Sequence, residues 1–269
     1  MTDLHPFHPD DSSVDVWRYW PLWKLLFALQ NQKLYLALLD EVRKKFDPYE
    51  ASVPASTQND QVPLFAGNSS IQQFFGTYEP AAPLAPWDRP NEDSFARVER
   101  LRRGLLRCAH VSCWRWGEES EAMWRLYCPG EDGVAIRTTF AKLRASVHDP
   151  HTCVSEVKYF DYKTGRFLRH THDWDPAFHK RIAFKHEQEV RVLRHDIADW
   201  RRASVDDAFR LPAGHELEWD PVTVIDEIIV NPQSSVAYCD TVRRAVASVT
   251  PALADKVKRS ELVTEPVRY

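Results

Sequence analysis

Glycine is scarce in this chain, with eight residues in 269 against eighteen prolines, which excludes long flexible linkers and favours rigid connections. The five cysteines, Cys108, Cys113, Cys128, Cys153 and Cys239, are odd in number and include no Cys-x-x-Cys pair. Neither a disulfide framework nor a zinc knuckle is signalled, and a reducing cytoplasmic setting fits. An excess of one charge is missing too: 35 basic against 39 acidic residues leave a formal charge of -4, with no global bias toward nucleic acid or an anionic membrane. No apolar run approaches the length that crosses a bilayer, and the opening Met1 to Pro6 lacks the pattern of a secretory leader. The eleven histidines supply no convincing metal pattern, because His170-x-His172 falls in a polar stretch and His5-x-x-His8 in a terminal one, so no metal site is expected.

Aromatic side chains are abundant: ten Trp, nine Tyr and thirteen Phe. The length suits one α+β domain over 14–250, with a flexible tail over 1–13, an irregular proline-rich excursion over 51–92 holding a short helix near Ile71 to Phe75, and an extension over 251–269. Val14 to Trp20 reads as a strand, with Pro21 opening a helix through Leu29, while Lys33 to Leu39 suits a strand or a continued helix. Phe95, Val98, Leu101, Leu105 and Leu106 follow helical spacing behind a cap at Asp93 or Ser94. Strands are expected over 111–114, 133–136, 154–162 and 222–230, and helices over 120–127, 140–147, 176–184 and 234–249.

The run from His186 to Leu193 alternates like a half-buried strand, so Glu187, Glu189 and Arg191 would project from one face, about 6.6 Å between successive members. Such a face is either an ion-pair ladder, with Arg191 supporting Glu189, or a pair of acids able to touch one small polar ligand.

Lys33-Leu34-Tyr35 through Asp47-Pro48-Tyr49-Glu50, Ser112-Cys113-Trp114, Met123-Trp124-Arg125-Leu126-Tyr127, Gly133-Val134-Ala135-Ile136, Val157-x-Tyr159 and Glu187-x-Glu189-x-Arg191, in that order, resemble the bacterial domain-of-unknown-function family 2971. A second resemblance is mechanistic. Arg18 beside aromatics on an early strand, Ser112 on a middle strand and the Glu-x-Glu strand look like the arginine-serine-glutamate class of ADP-ribosyltransferases, toxins and phage-defence effectors among them. That resemblance implies split mixed or antiparallel sheets flanked by helices and gripping NAD. It implies Arg18 on the NAD phosphates, Ser112 orienting the acid or the ribose, Glu189 as catalytic acid and Glu187 assisting the nucleophile. The chain departs from the class at Ser112-Cys113-Trp114, where Ser-Thr-Ser is usual.

The chemistry suits these residues. Breaking the nicotinamide–ribose bond builds positive charge on the sugar, which a carboxylate stabilises more in the transition state than before it. A guanidinium offers fork-like donors to a pyrophosphate and stays charged. Tyr19, Trp114, Trp124 and Tyr127 are candidates to line the cofactor, with core packing as the alternative. Two other functions fit parts of the chain. Asp149 with Glu156-Val157-Lys158 could serve a metal-dependent nuclease, and the aromatic surface could serve a protein-interaction module without catalysis.

Overall fold

The structure is a computed structural model and describes residues 9–52, 94–163 and 174–263. The expected helix near Ile71 to Phe75, nearly all of the 51–92 excursion, His5, His8, His170 and His172 lie outside the described residues. β1 (Asp15–Pro21), α1 (Leu22–Asn31), β2 (Lys33–Leu38) and α2 (Leu39–Lys45) open the chain. α1 buries Leu25, Ala28 and Leu29 at helical spacing, then stops at Gln32, whose left-handed φ of 53° turns the chain sharply into β2. The 33–39 ambiguity resolves as a strand followed at once by α2.

α3 (Ser94–Cys108) carries Val98, Leu101, Leu105 and Leu106 on its buried face, as their spacing predicts. β3 (His110–Trp116), α4 (Glu121–Tyr127), β4 (Gly133–Thr139) and α5 (Phe140–Ala145) follow, close to the expected positions. The single strand expected over 154–162 is instead two, β5 (Thr152–Glu156) and β6 (Lys158–Phe160), which enter different sheets. The helix expected over 176–184 is replaced by a 3-10 turn (Asp175–Phe178), the short strand β7 (His179–Arg181) and a second 3-10 turn (Ile182–Glu187) ahead of β8 (Glu189–Arg194).

α6 (Ile197–Val205) and β9 (Gly214–Glu218) were not expected. The strand expected over 222–230 begins with a helical turn, α7 (Pro221–Val224), because the Asp220 carboxylate caps the Val222 N–H and Pro221 suits the first turn; only β10 (Glu227–Val230) is extended. α8 (Val236–Val249) is capped by Ser235 and buries Cys239, Val242 and Val246. β11 (Val257–Arg259), from the segment read as an extension, pairs with β10 at the sheet edge.

The architecture is α+β: a mixed sheet flanked by helices, ordered β11-β10-β4-β1-β3-β2-β9 with β8 and β5 branching from β3, plus a small β6-β7 sheet. Within the large sheet only the β10–β11 pair is parallel. Val16, Trp20, Trp114, Val134, Ile136, Val190 and Val192 point to one face, under α1, α5 and α8. The other face is covered in two parts: α3 and α6 over Val111 and Leu193, and α4 over Trp17, Tyr19 and Ala135.

One detail of the topology positions everything that follows. β3 meets β1 only through Arg115 and Trp116, and meets β2 only through His110 and Val111. Between those short ladders the Ser112–Trp114 edge of β3 faces a gap where β1 and β2 diverge.

Candidate functional site

Arg18 fills that gap. Its guanidinium donates to Ser112 Oγ and, at 2.7 Å, to the Cys113 carbonyl, a backbone acceptor freed by the divergence of the strands. The rings of Trp20 and Trp114 lie 4.8 and 5.6 Å from the guanidinium carbon. Burial lowers the Arg18 pKa to about 10, and the negative charge of Glu189 partly offsets that loss. Arg18 has no carboxylate partner among the described residues.

The acids lie on the other face. In the β3–β8 register Cys113 stands opposite Arg191 and Arg115 opposite Glu189, whereas Ser112 stands opposite Val192. Strand alternation therefore gives Glu189 the face of Cys113, and Ser112 the face of Trp114, whose indole N–H donates to Ser112 Oγ at 3.1 Å. The structure brings Arg18 and Ser112 into direct contact and keeps the Ser112 hydroxyl and the Glu189 carboxylate on opposite sides of the ladder.

Glu187 is not on the strand with Glu189. Gln188 between them has a left-handed φ of 42°, which ends the 3-10 turn before β8 begins, so the two acids are related by a kink rather than by the pleat. The kink still brings their carboxylates together on Lys180 of β7, whose Nζ lies 2.5 Å from Glu187 Oε2 and 3.3 Å from Glu189 Oε2. Lys180 is buried, and its Nζ sits 4.8 Å from the Phe184 ring. Burial opposes its charge, but Glu189 and Glu187 outweigh that and raise its pKa.

Beneath them, wholly buried Arg191 spans two acids. Its Nε and Nη2 reach Glu189 at 2.8 and 3.0 Å, and its Nη1 and Nη2 reach Glu50 at 2.6 and 3.0 Å. Burial pushes the Glu189 pKa up, but Arg191 and then Lys180 prevail and hold it at about 2. Glu187 moves the opposite way: burial and the nearby Glu189 charge raise its pKa against the pull of Lys180. Tyr127, at the end of α4, donates to Glu187 Oε1 at 3.3 Å and packs 6.0 Å from the exposed Phe46 ring.

Of the aromatics read as lining, Tyr127 alone is exposed. Tyr19 and Trp124 pack edge to face at 4.9 Å in the core, with Trp124 Nε1 donating to Glu119 Oε1 and the Ser120 N–H donating to the Tyr19 hydroxyl. Trp114 belongs to the main core. For the nuclease set, Lys158 pairs with Glu156 at 2.8 Å, while Asp149 binds Arg194 Nε at 3.2 Å at the opposite end of β5. Among the described residues no three His, Cys, Asp or Glu side chains are grouped to hold a metal ion, and no helix is long and apolar enough to cross a membrane.

Sequence reasoning missed Lys180 and Glu50. Lys180 sat in a segment expected to be helical, where a lysine carries no sign of burial. Glu50 is 141 residues from Arg191 and belonged to an apparent turn.

The profile of the family described as "Protein of unknown function (DUF2971)" matches residues 123–192, a stretch that runs from α4 to β8 and includes Tyr127, Lys180, Glu187, Glu189 and Arg191. No curated protein and no solved structure matches the chain. The match supports the resemblance to that family drawn from the sequence, and the segment it covers holds most of the buried charge cluster.

Proposed function

We propose that the chain is an NAD-using, ADP-ribosyltransferase-like enzyme whose acids are Glu187 and Glu189. The observation that carries this reading is the joining of Glu187 and Glu189 on one buried lysine, within electrostatic reach of an arginine that has no acidic partner among the described residues. Two carboxylates within electrostatic reach of a guanidinium that bonds only neutral groups among the described residues suit a ligand with a cationic reacting centre and anionic phosphates.

In this reading the bond between nicotinamide nitrogen and ribose C1′ breaks, and nicotinamide leaves with the bonding electron pair. The sugar becomes cationic, the acceptor nucleophile bonds to C1′, and the nucleophile's proton passes to a carboxylate. Glu187, the more exposed acid and the one joined to Tyr127, receives that proton; its raised pKa makes it the better base. Glu189, fixed and ionised by Arg191 and Lys180, supplies the permanent negative charge that favours the cationic sugar.

The test is nicotinamide release from NAD by the wild type, Glu187→Gln and Glu189→Gln, with circular dichroism to confirm folding. Loss of about a hundredfold in either folded variant is expected from the size of such electrostatic contacts. Undiminished turnover in both would end the assignment.

A second reading, as a protein-interaction module, draws on the exposed rings of Phe46, Tyr49 and Tyr127 and on Arg181 held 4.5 Å over Tyr49. It expects no NAD binding by calorimetry and a partner whose affinity falls when Phe46 or Tyr49 becomes alanine.

A further inference from the structure

Gln188 holds a backbone conformation that its own side chain disfavours. Its φ of 42° lies in the left-handed region, which glycine or asparagine usually takes, and another residue keeps that geometry only where its surroundings fix it. The position matters because Lys180 and Glu187 precede Gln188 in the chain and Glu189 follows it. The Gln188 backbone therefore sets where the first two stand against the third, and in the observed conformation both carboxylates meet one ammonium.

Two side chains from other strands hold this kink. Arg115 stands directly opposite Glu189 in the β3–β8 register, yet Arg191 and Lys180 hold the Glu189 carboxylate, and the Arg115 guanidinium donates instead to Gln188 Oε1 and to the Glu118 carbonyl. Those two acceptors are neutral, so the bridge serves placement rather than charge pairing: a planar guanidinium fixes Gln188 against the turn that follows β3. Tyr159 of β6 supplies the second hold, because its hydroxyl accepts the Glu189 N–H at 2.8 Å. The backbone closes the remaining side, with the Trp116 N–H donating to the Gln188 carbonyl at 2.9 Å.

We infer that Arg115 and Tyr159 are positioning residues that clamp the Gln188 kink and so fix Lys180 and Glu187 against Glu189. The consequence for turnover rests on the function proposed above; the hold on the kink does not.

Backbone NMR shifts and the amide–Hα coupling of Gln188 report its φ, and nicotinamide release from NAD reports turnover, in the wild type, Arg115→Met and Arg115→Met/Gln188→Asn. Loss of the arginine should move the Gln188 shifts from left-handed to extended values and lower kcat by about a hundredfold with KM unchanged, since reacting groups misplaced by about 1 Å lose that much. Asparagine enters the left-handed region more readily than glutamine, so the double variant should regain left-handed shifts and most of the lost kcat. Tyr159→Phe removes the other hold and should speed hydrogen exchange at the Glu189 amide by about tenfold or more; unchanged exchange takes Tyr159 out of the clamp. Should Arg115→Met fail to fold by circular dichroism, Arg115→Lys, which keeps the charge without the planar fork, carries the same comparison with and without Gln188→Asn. Left-handed Gln188 shifts in the folded arginine variant, or no recovery with asparagine, overturn the clamp. Absence of nicotinamide release from the wild type ends the transferase reading, and the Gln188 shifts then decide the clamp by themselves.

Discussion

Arg191 grips Glu50 through two parallel hydrogen bonds, Nη1 to Oε1 at 2.6 Å and Nη2 to Oε2 at 3.0 Å, with both side chains fully buried. The same guanidinium holds Glu189, so one arginine ties the loop after α2 to the centre of β8. Removing Glu50 leaves the buried Arg191 charge balanced by Glu189 alone and strips two of its hydrogen bonds, a loss toward the lower end of the about 3–5 kcal/mol that breaking a buried pair costs. Glu50→Ala should lose that much in urea unfolding. Glu50→Gln keeps hydrogen-bond acceptance and should lose less. A fall below about 1 kcal/mol for Glu50→Ala would mean that the pair contributes little.

His195 should govern the first acid step of unfolding. Its ring lies between Trp174 at 4.9 Å and Trp200 at 6.1 Å, with both ring nitrogens buried and unpartnered, and burial lowers its pKa to about 3. The unfolded ring takes up a proton near pH 6.5, whereas the folded ring stays neutral. This depressed pKa therefore leaves stability intact above about pH 6.5 and erodes it as pH falls toward 3. One proton costs about 1.4 kcal/mol per pH unit, so about 2 kcal/mol should be lost between pH 6.5 and 5 on its account. His110, lowered to about 4 by burial, adds to the same slope. Denaturant unfolding at pH 7 and pH 5 should show His195→Phe losing less on acidification than the wild type. An unchanged difference would remove His195 from the account.

Gly104 on α3 sits where α6 crosses closest. A Cβ there would strike Ser204 Oγ and come within 3.1 Å of Ser204 Cα and backbone nitrogen, so the side chain can rotate away but the backbone cannot. Gly104→Val should push the helices apart and cost about 1–3 kcal/mol by overpacking. Gly104→Ala should cost less, because alanine's better helix propensity offsets part of the crowding. Thermal melts of the two variants give the comparison, and a Gly104→Val melt equal to wild type would show that the helix pair yields freely.

Periodicity carried the sequence reading wherever one face alone is buried. The α3 stripe and the Val242 and Val246 spacing of α8 were legible because burial repeats with the helical turn, although Val236, read with them, is exposed and Cys239 takes its place on the buried face. The Glu-x-Glu-x-Arg run was half legible. Its strand character and the Arg191–Glu189 pair followed from alternation, but the left-handed Gln188 between the acids breaks the alternation before Glu187, and no glycine or asparagine marks that turn. The short extended and 3-10 pieces over 175–187 escaped because each is too brief for a period to register. Lys180 and Glu50 escaped for a different reason: tertiary partners decide their burial, and those partners are remote or separated by a turn that the sequence does not announce.

Lys180 offers the sharpest test of how the acid pair is held. Its ammonium stands between Glu187 and Glu189, so Lys180→Met leaves two carboxylates facing each other with the cation gone. Like charges at such a separation cannot both remain ionised cheaply, and the pair should retain a proton to higher pH than in the wild type. In the wild type Glu189, held at about 2, gives stability that is present above its unfolded value near 4.5 and lost as pH falls from there toward 2. Raising its folded pKa removes part of that contribution at neutral pH, so Lys180→Met should be less stable by several kcal/mol at pH 7 and lose less on further acidification. Lys180→Arg keeps the charge and should retain most of the stability. Carboxyl carbon NMR titration of the two glutamates, assigned through Glu187→Gln, reads the effect directly. Titration curves for Glu187 and Glu189 that coincide in wild type and Lys180→Met would show that Arg191 alone sets the protonation of the pair.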